Sequence, residues 1–237
     1  MSQEEDFIFL YTFYFNNGEI KQFKIIIDGD TLLEKSPIVG KNPEWTKMDW
    51  FKCSICPIED GRTTYCPLAL RVNKVIQFFS DFPSFEKAKI SVETAERGSY
   101  KYTSVQTGIS SMMGLFMASS GCPIIGQLKS LVRFHLPFAS LAETEYKVLA
   151  MYILAQFFRA KENKQIDWEL VKLRKIYNDI EQVNRHVVSK LAEIEMRDSS
   201  RNAVIALNSY AQYITMELDD ESWLERMREY VKDWIDL

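Results

Sequence analysis

The chain has 237 residues, of which 46% are hydrophobic, 13% aromatic and 26% charged, with only nine glycines and seven prolines. That composition excludes a disordered tail, a linker-rich chain and a collagen-like one, and it fits one or two globular domains. The 29 basic and 33 acidic residues give a net charge of −4, which provides no broad drive toward nucleic acid or an anionic membrane, and four cysteines are too few for a disulfide scaffold.

The first residues lack the basic segment and small-residue cleavage site of a secretory signal, and no lipidation motif is visible. The apolar stretch from Tyr146 to Phe158 is too short to cross a bilayer core of about 30 Å and reads as a buried helix. The expectation is therefore a soluble, cytoplasmic protein with reduced thiols and no membrane partner. In a reducing compartment clustered cysteines point to metal ligation or thiol chemistry more than to disulfides.

Phe7 to Phe15 is rich in aromatic and β-branched residues, as strands are. Asn16-Asn17-Gly18 follows, and Ile20 to Ile27 continues with Phe23, Ile25 and Ile27 on one face, so the two runs predict an antiparallel hairpin. Residues 31–66 are punctuated by Pro37, Gly40, Pro43, Pro57 and Gly61. A loop this long is uncommon in a compact domain unless something organises it. Pro67 opens a helix to about Phe79. Lys87 to Thr94 alternates as a third strand, with Tyr100 and Tyr102 as its possible continuation.

From Thr103 the pattern turns helical. Thr103 with Gln106, and Ser140 with Glu143, have the spacing of capping boxes. Gly108, Ser111, Gly114 and Ala118 lay a stripe of small residues along the first helix, as close helix packing requires. Asp167 caps a long amphipathic helix carrying Leu173, Ile176, Ile180, Val183, Val187, Leu191 and Ile194. Asp198-Ser199-Ser200 opens the next helix and Asp219-Asp220 a last one, whose Trp223 and Trp234 are expected to dock on the bundle. The apolar repeat is expected to pack within the chain. Self-association or a protein partner through the C-terminal helices is the alternative. The fold class is α+β: an antiparallel hairpin and sheet with one helix over residues 1–103, then an all-helical part over 104–237, with a single compact unit formed by both as the alternative.

Cys53-Ser54-Ile55-Cys56-Pro57 is followed by Cys66-Pro67 and later by Ser120-Gly121-Cys122-Pro123. A C-x-x-C turn presents two thiolates on one side of a tight loop, the local half of many tetrahedral zinc sites. Cys66 supplies a third ligand, and the fourth comes from Cys122 or from His135 in Arg133-Phe134-His135-Leu136-Pro137-Phe138. Proline after cysteine suits the first turn of a helix, so Cys66 and Cys122 are placed at helix N-termini, where the dipole lowers a thiol pKa. Structural zinc is the leading expectation. An iron–sulfur cluster on four cysteines, a Cys53/Cys56 redox pair, a Cys122 nucleophile with His135 as base, and plain buried cysteines are its competitors.

His186 reads as a surface or half-buried helix residue, and His135 on its own as a core histidine. No nucleophile elbow, P-loop or dinucleotide-binding glycine motif occurs, so an enzyme is not favoured.

The aromatic hairpin, the Cys53-x-x-Cys56-Pro57 and Cys66-Pro67 segments, the Ser120-to-Pro123 turn, the Arg133-to-Phe138 segment and Asp198-Ser199-Ser200 with Asn202-Ala203 together resemble an uncharacterised bacterial protein family, over nearly the whole chain. That resemblance implies no established activity. The expected function is a metal-stabilised binding or regulatory module.

Overall fold

A computed structural model describes residues 4–36, 42–79, 86–194, 198–218 and 220–237. Strands β1 (Phe7–Phe15) and β2 (Ile20–Ile27) form the expected hairpin, with Tyr14 opposite Ile20 and Phe7 opposite Ile27. The turn differs from a two-residue Asn-Gly turn. Only Gly18 has positive φ (+86°), and the Gly18 N–H donates to the Phe15 carbonyl, so three residues make the connection. β1 also pairs antiparallel with β3 (Lys87–Glu93), which pairs with β4 (Gly98–Ser104), giving the sheet order β2-β1-β3-β4. Tyr100 and Tyr102 thus belong to a fourth strand that folds back on β3 and does not extend it.

Alternation sends Phe9, Tyr11, Phe13 and Phe15 of β1 to one buried face. Helices α2 (Pro67–Phe78) and α3 (Val105–Ala118) cover it: Phe23 meets Phe78 and Phe116 edge-on, and Phe13 meets Phe79. Gly108 lets α3 sit on the sheet, since a Cβ there would stand 2.5 Å from Ile90 Cδ1 and 2.7 Å from Phe13 Cε1. The fold is α+β.

The loop between β2 and α2 holds one short helix, α1 (Met48–Phe51), after a 3₁₀ turn at Glu44–Thr46. Beyond α3 come a 3₁₀ turn at Ile125–Leu128 and the helices α4 (Ser130–Arg133), α5 (Leu141–Lys161), α6 (Val171–Ala192), α7 (Asp198–Leu218) and α8 (Glu221–Ile235). The capping box of α5 forms as expected, with Ser140 and Glu143 bonding each other's backbone N–H. The one expected at Thr103 does not. Thr103 is paired in β4 opposite Ala88, and Ser104 caps α3 by accepting from the Thr107 N–H. Asp167 does cap α6: its carboxylate accepts from the N–H groups of Val171 (3.1 Å) and Lys172 (2.7 Å).

The apolar stripe of α6 is used inside the molecule. Leu173, Ile180, Val183, Val187 and Leu191 are buried, α6 packs along α7, and α7 packs on α3. Two expectations about helices are corrected. α5 is not a buried helix, because Tyr146, Leu154, Phe157 and Phe158 are exposed and only Glu145, Val148 and Gln156 are fully buried. Trp223 docks and is fully buried, whereas Trp234 is 79% exposed. It lies in the last turn of α8, and Tyr230 and Ile235 of that helix are exposed as well. The Asp198 start of α7 holds, while Asp219 lies outside the described residues. Among the described residues no helix is long and apolar enough to cross a membrane.

Candidate metal centre

Cys53 and Cys56 form one tight turn, closed by the Cys56 N–H on the Cys53 carbonyl at 3.0 Å. Cys66 is brought beside it by a two-residue bridge: Met48 N–H to Thr64 O at 3.0 Å and Cys66 N–H to Thr46 O at 2.8 Å. Cys66 is then the N-cap of α2, with Pro67 at the first helical position, where a missing N–H costs nothing.

Cys122 arrives from the far end of α3. The Ser120 hydroxyl donates to the Met117 carbonyl (2.7 Å) and accepts from the Cys122 N–H (3.1 Å), which ends the helix. Gly121 follows at φ +88°, a left-handed conformation that favours glycine. Its position lies against Pro67, whose Cβ would be 3.8 Å from an added Cβ. The two Cys-Pro segments therefore abut.

All four cysteines line one small cavity of about 20 Å³, together with Lys52, His186 and Val187. None is in a disulfide. Backbone N–H groups point at three of them: Ile55 at Cys53, Leu68 and Ala69 at Cys66, Ile124 and Ile125 at Cys122. Burial pushes the Cys53 thiol up to about 12 and the Cys66 thiol up to about 11, and neighbouring thiols add to both shifts. Burial also raises Cys122. This reverses the expectation of lowered pKa values at helix N-termini: Cys122 is not an N-cap, since Ile124 is that of the 3₁₀ turn after it, and at both Cys66 and Cys122 desolvation outweighs the N–H donors. Lys52, which pairs with Asp60 at 2.5 Å, places a positive charge beside Cys56 and Cys53. Among the described residues, no three Cys, His, Asp or Glu side chains already stand as a metal-ligand set. Coordination here would require the thiols to close on the cavity by side-chain rotation.

The chain belongs to the family described as Domain of unknown function (DUF6901). The family model matches residues 9–231, which include all four cysteines. No curated protein and no solved structure matches the chain.

His135 is not brought to the cysteines. It lines a separate, larger cavity, and its Nε2 is 2.8 Å from the Tyr11 hydroxyl, which also meets the Ser111 hydroxyl at 2.9 Å. Phe9 packs edge-on against its ring at 5.5 Å. Burial holds its pKa down at about 3, so it is neutral. It is half-buried, bonded to Tyr11 and set in the wall of that cavity. No hydrogen bond joins it to Cys122.

The histidine beside the sulfurs is His186. Its Nε2–H donates to the Phe51 carbonyl at 2.9 Å, and its ring packs edge-on against Phe51. Sequence reading missed it because a histidine between Arg185 and Val187 on an amphipathic helix carries no local mark. Its place one residue from Val187, on the buried stripe, was the available signal.

Proposed function

We propose that this chain is a metal-binding module in which Cys53, Cys56, Cys66 and Cys122 hold one structural zinc ion. One observation carries the reading: four thiols from three distant segments share a single small cavity, with N–H donors on three of them. Thiolate sets of this kind suit zinc, and partners in the surroundings that donate to sulfur stabilise the bound form. The four residues suit the ion in number and chemistry, and their thiols would have to turn inward to reach a common centre. When bound, zinc would hold the thiols as thiolates and cross-link the loop before α2 to the start of the helical region. Lys52 would offset part of the negative charge of four thiolates. His186 would fix the Phe51 end of the loop through its bond to the carbonyl. The free cysteines suit a reducing, cytoplasmic setting.

An iron–sulfur cluster is the second reading, and the cavity volume argues against it. About 20 Å³ accommodates one ion or water-sized group. The Cys122–His135 enzyme reading finds no support, since the two side chains lie at different cavities and the Cys122 thiol is raised, not activated.

The experiment is alkylation of the native protein before and after treatment with a strong zinc chelator. The expected result is four slow thiols that become reactive together on chelation, with no visible absorption band before it. Thiol reactivity unchanged by the chelator overturns the zinc reading, and a brown protein with visible absorption transfers it to iron–sulfur.

A further inference from the structure

The larger cavity is about 620 Å³, within the usual size of small-molecule sites. One stripe of α3 runs along it, and that stripe changes character: Thr107, Ser110 and Ser111 at one end, Gly114, Met117 and Ala118 at the other. The twelve residues from Thr107 to Ala118 rise about 16 Å along the helix. Of the stripe of small residues, Gly108 seats α3 on the sheet, while Ser111, Gly114 and Ala118 line this space.

The polar end is positively charged. Lys101, Glu143 and Lys147 all line it, and Glu143 feels both lysines. Glu143 is committed to the α5 capping box, accepting from the Ser140 N–H at 2.7 Å. Lys147 is half-buried and makes no hydrogen bond or ion pair with a described residue, and burial lowers its pKa. The nearby imidazole, His135, is neutral. Two lysines thus share the charge of a single carboxylate, Glu143, and this end carries a net positive charge.

The opposite end is apolar, walled by Ile125, Leu128, Val132 and Ile180. Set into it is Asn184, 3% exposed, whose Oδ1 is buried with no hydrogen-bond partner. Asn184 lies next to Val183 and near Val187, which line the sulfur cavity, so it belongs to the end of the cavity away from the first turn of α3. Two turns earlier on α6, the buried Tyr177 also lines the cavity and makes no hydrogen bond with a described residue. A buried amide oxygen without a donor is costly unless something supplies one.

We propose that this cavity binds an anionic amphiphile of the medium-chain fatty-acid class, its carboxylate at Lys147 and its tail along α3, with a hydroxyl near the tail end donating to Asn184. The site is distinct from the cysteine centre and does not depend on it. Lys101 adds to the field at the head group. The apolar wall takes the methylenes, and the stripe length matches an extended twelve-carbon chain.

The test is calorimetric titration of the intact protein with dodecanoate, dodecanol and 12-hydroxydodecanoate. Dodecanoate is expected to bind at least about tenfold more tightly than dodecanol, and Lys147→Met to remove that advantage. The 12-hydroxy acid is expected to bind more tightly than dodecanoate, and Asn184→Leu to abolish the difference while keeping dodecanoate binding. Circular dichroism of each variant checks its fold. Absence of binding by all three probes overturns the proposal. Equal binding of acid and alcohol, or a folded Lys147→Met protein with unchanged preference, overturns the anionic head group. A 12-hydroxy acid no better than dodecanoate overturns the tail-end donor.

Discussion

Two cavities share α6 and the segment after Cys122, yet they are built in opposite ways. The sulfur cavity is about 20 Å³ and is made of side chains that crowd together from distant loops. The other is about 620 Å³ and is lined by small residues of α3 together with side chains of the helices that follow it. Val183, His186 and Val187 serve the first, while Tyr177, Ile180 and Asn184 serve the second. Cys122 belongs to the first and Ile125, three residues on, to the second. On the proposed zinc reading the two depend on different things: the thiol cluster in its long loop would be held by the cross-link, whereas the helix-lined cavity is framed by regular structure.

The largest expected effect is therefore on the sulfur side. Cys66→Ser is expected to cost at least about 5 kcal/mol, a fall of roughly 10 °C or more in the unfolding midpoint by calorimetry, because loss of one ligand weakens the whole cross-link. The same substitution should leave the α3 end of the large cavity intact, readable as unchanged dodecanoate binding at a temperature where the variant is folded.

The next effect concerns the ionic cluster that anchors the cysteine-bearing loop. Glu34 is buried, with Arg71 Nε at 2.5 Å and Lys74 Nζ at 2.9 Å. Its backbone N–H donates to the carbonyl of Ser119, at the end of α3 just before Cys122. Glu34→Ala leaves two cations facing each other and is expected to cost about 3–5 kcal/mol in urea unfolding. A cost below about 1 kcal/mol would mean that this corner is solvated and does not brace the sulfur site.

A pH experiment probes the large cavity. His135 is neutral in the folded protein, with its pKa held down at about 3 by burial, whereas it titrates near 6.5 when unfolded. The unfolded chain thus binds the extra proton between these values, so stability present above pH 6.5 is lost as pH falls toward 3. The contribution is up to about 1.4 kcal/mol per pH unit. His135→Gln should flatten that part of the stability profile. An unchanged slope would show that the imidazole takes up its proton without unfolding. The smallest effect is expected from Tyr11→Phe, which removes the hydroxyl between His135 and Ser111 at a cost of about 1–2 kcal/mol by chemical denaturation.

Local periodicity carried most of the fold. The hairpin, α2, β3 and the long α6 were legible because their apolar residues repeat at strand or helix spacing. β4 was not, because its Tyr100 and Tyr102 are exposed and show no buried alternation. α5 was misjudged because apolar composition does not fix burial: Phe157 and Phe158 remain exposed at the end of a helix that buries Glu145 and Gln156. Of the site, the Cys53–Cys56 turn and the Cys66 helix start were readable from spacing. The choice between Cys122 and His135 was not, since it rests on Gly121 lying against Pro67, a contact between segments more than fifty residues apart. The large cavity was hidden for a similar reason. A stripe of small residues reads the same whether a neighbouring helix closes on it or stands off.

The central claim is that four cysteines, and not His135, hold one metal ion. Elemental analysis of protein purified under reducing conditions, together with the Cys122→Ser and His135→Gln variants, tests it most directly. The expected result is about one zinc per chain in the parent protein and in His135→Gln, with loss in Cys122→Ser. A folded parent protein without metal, or zinc retained in Cys122→Ser and lost in His135→Gln, would contradict it.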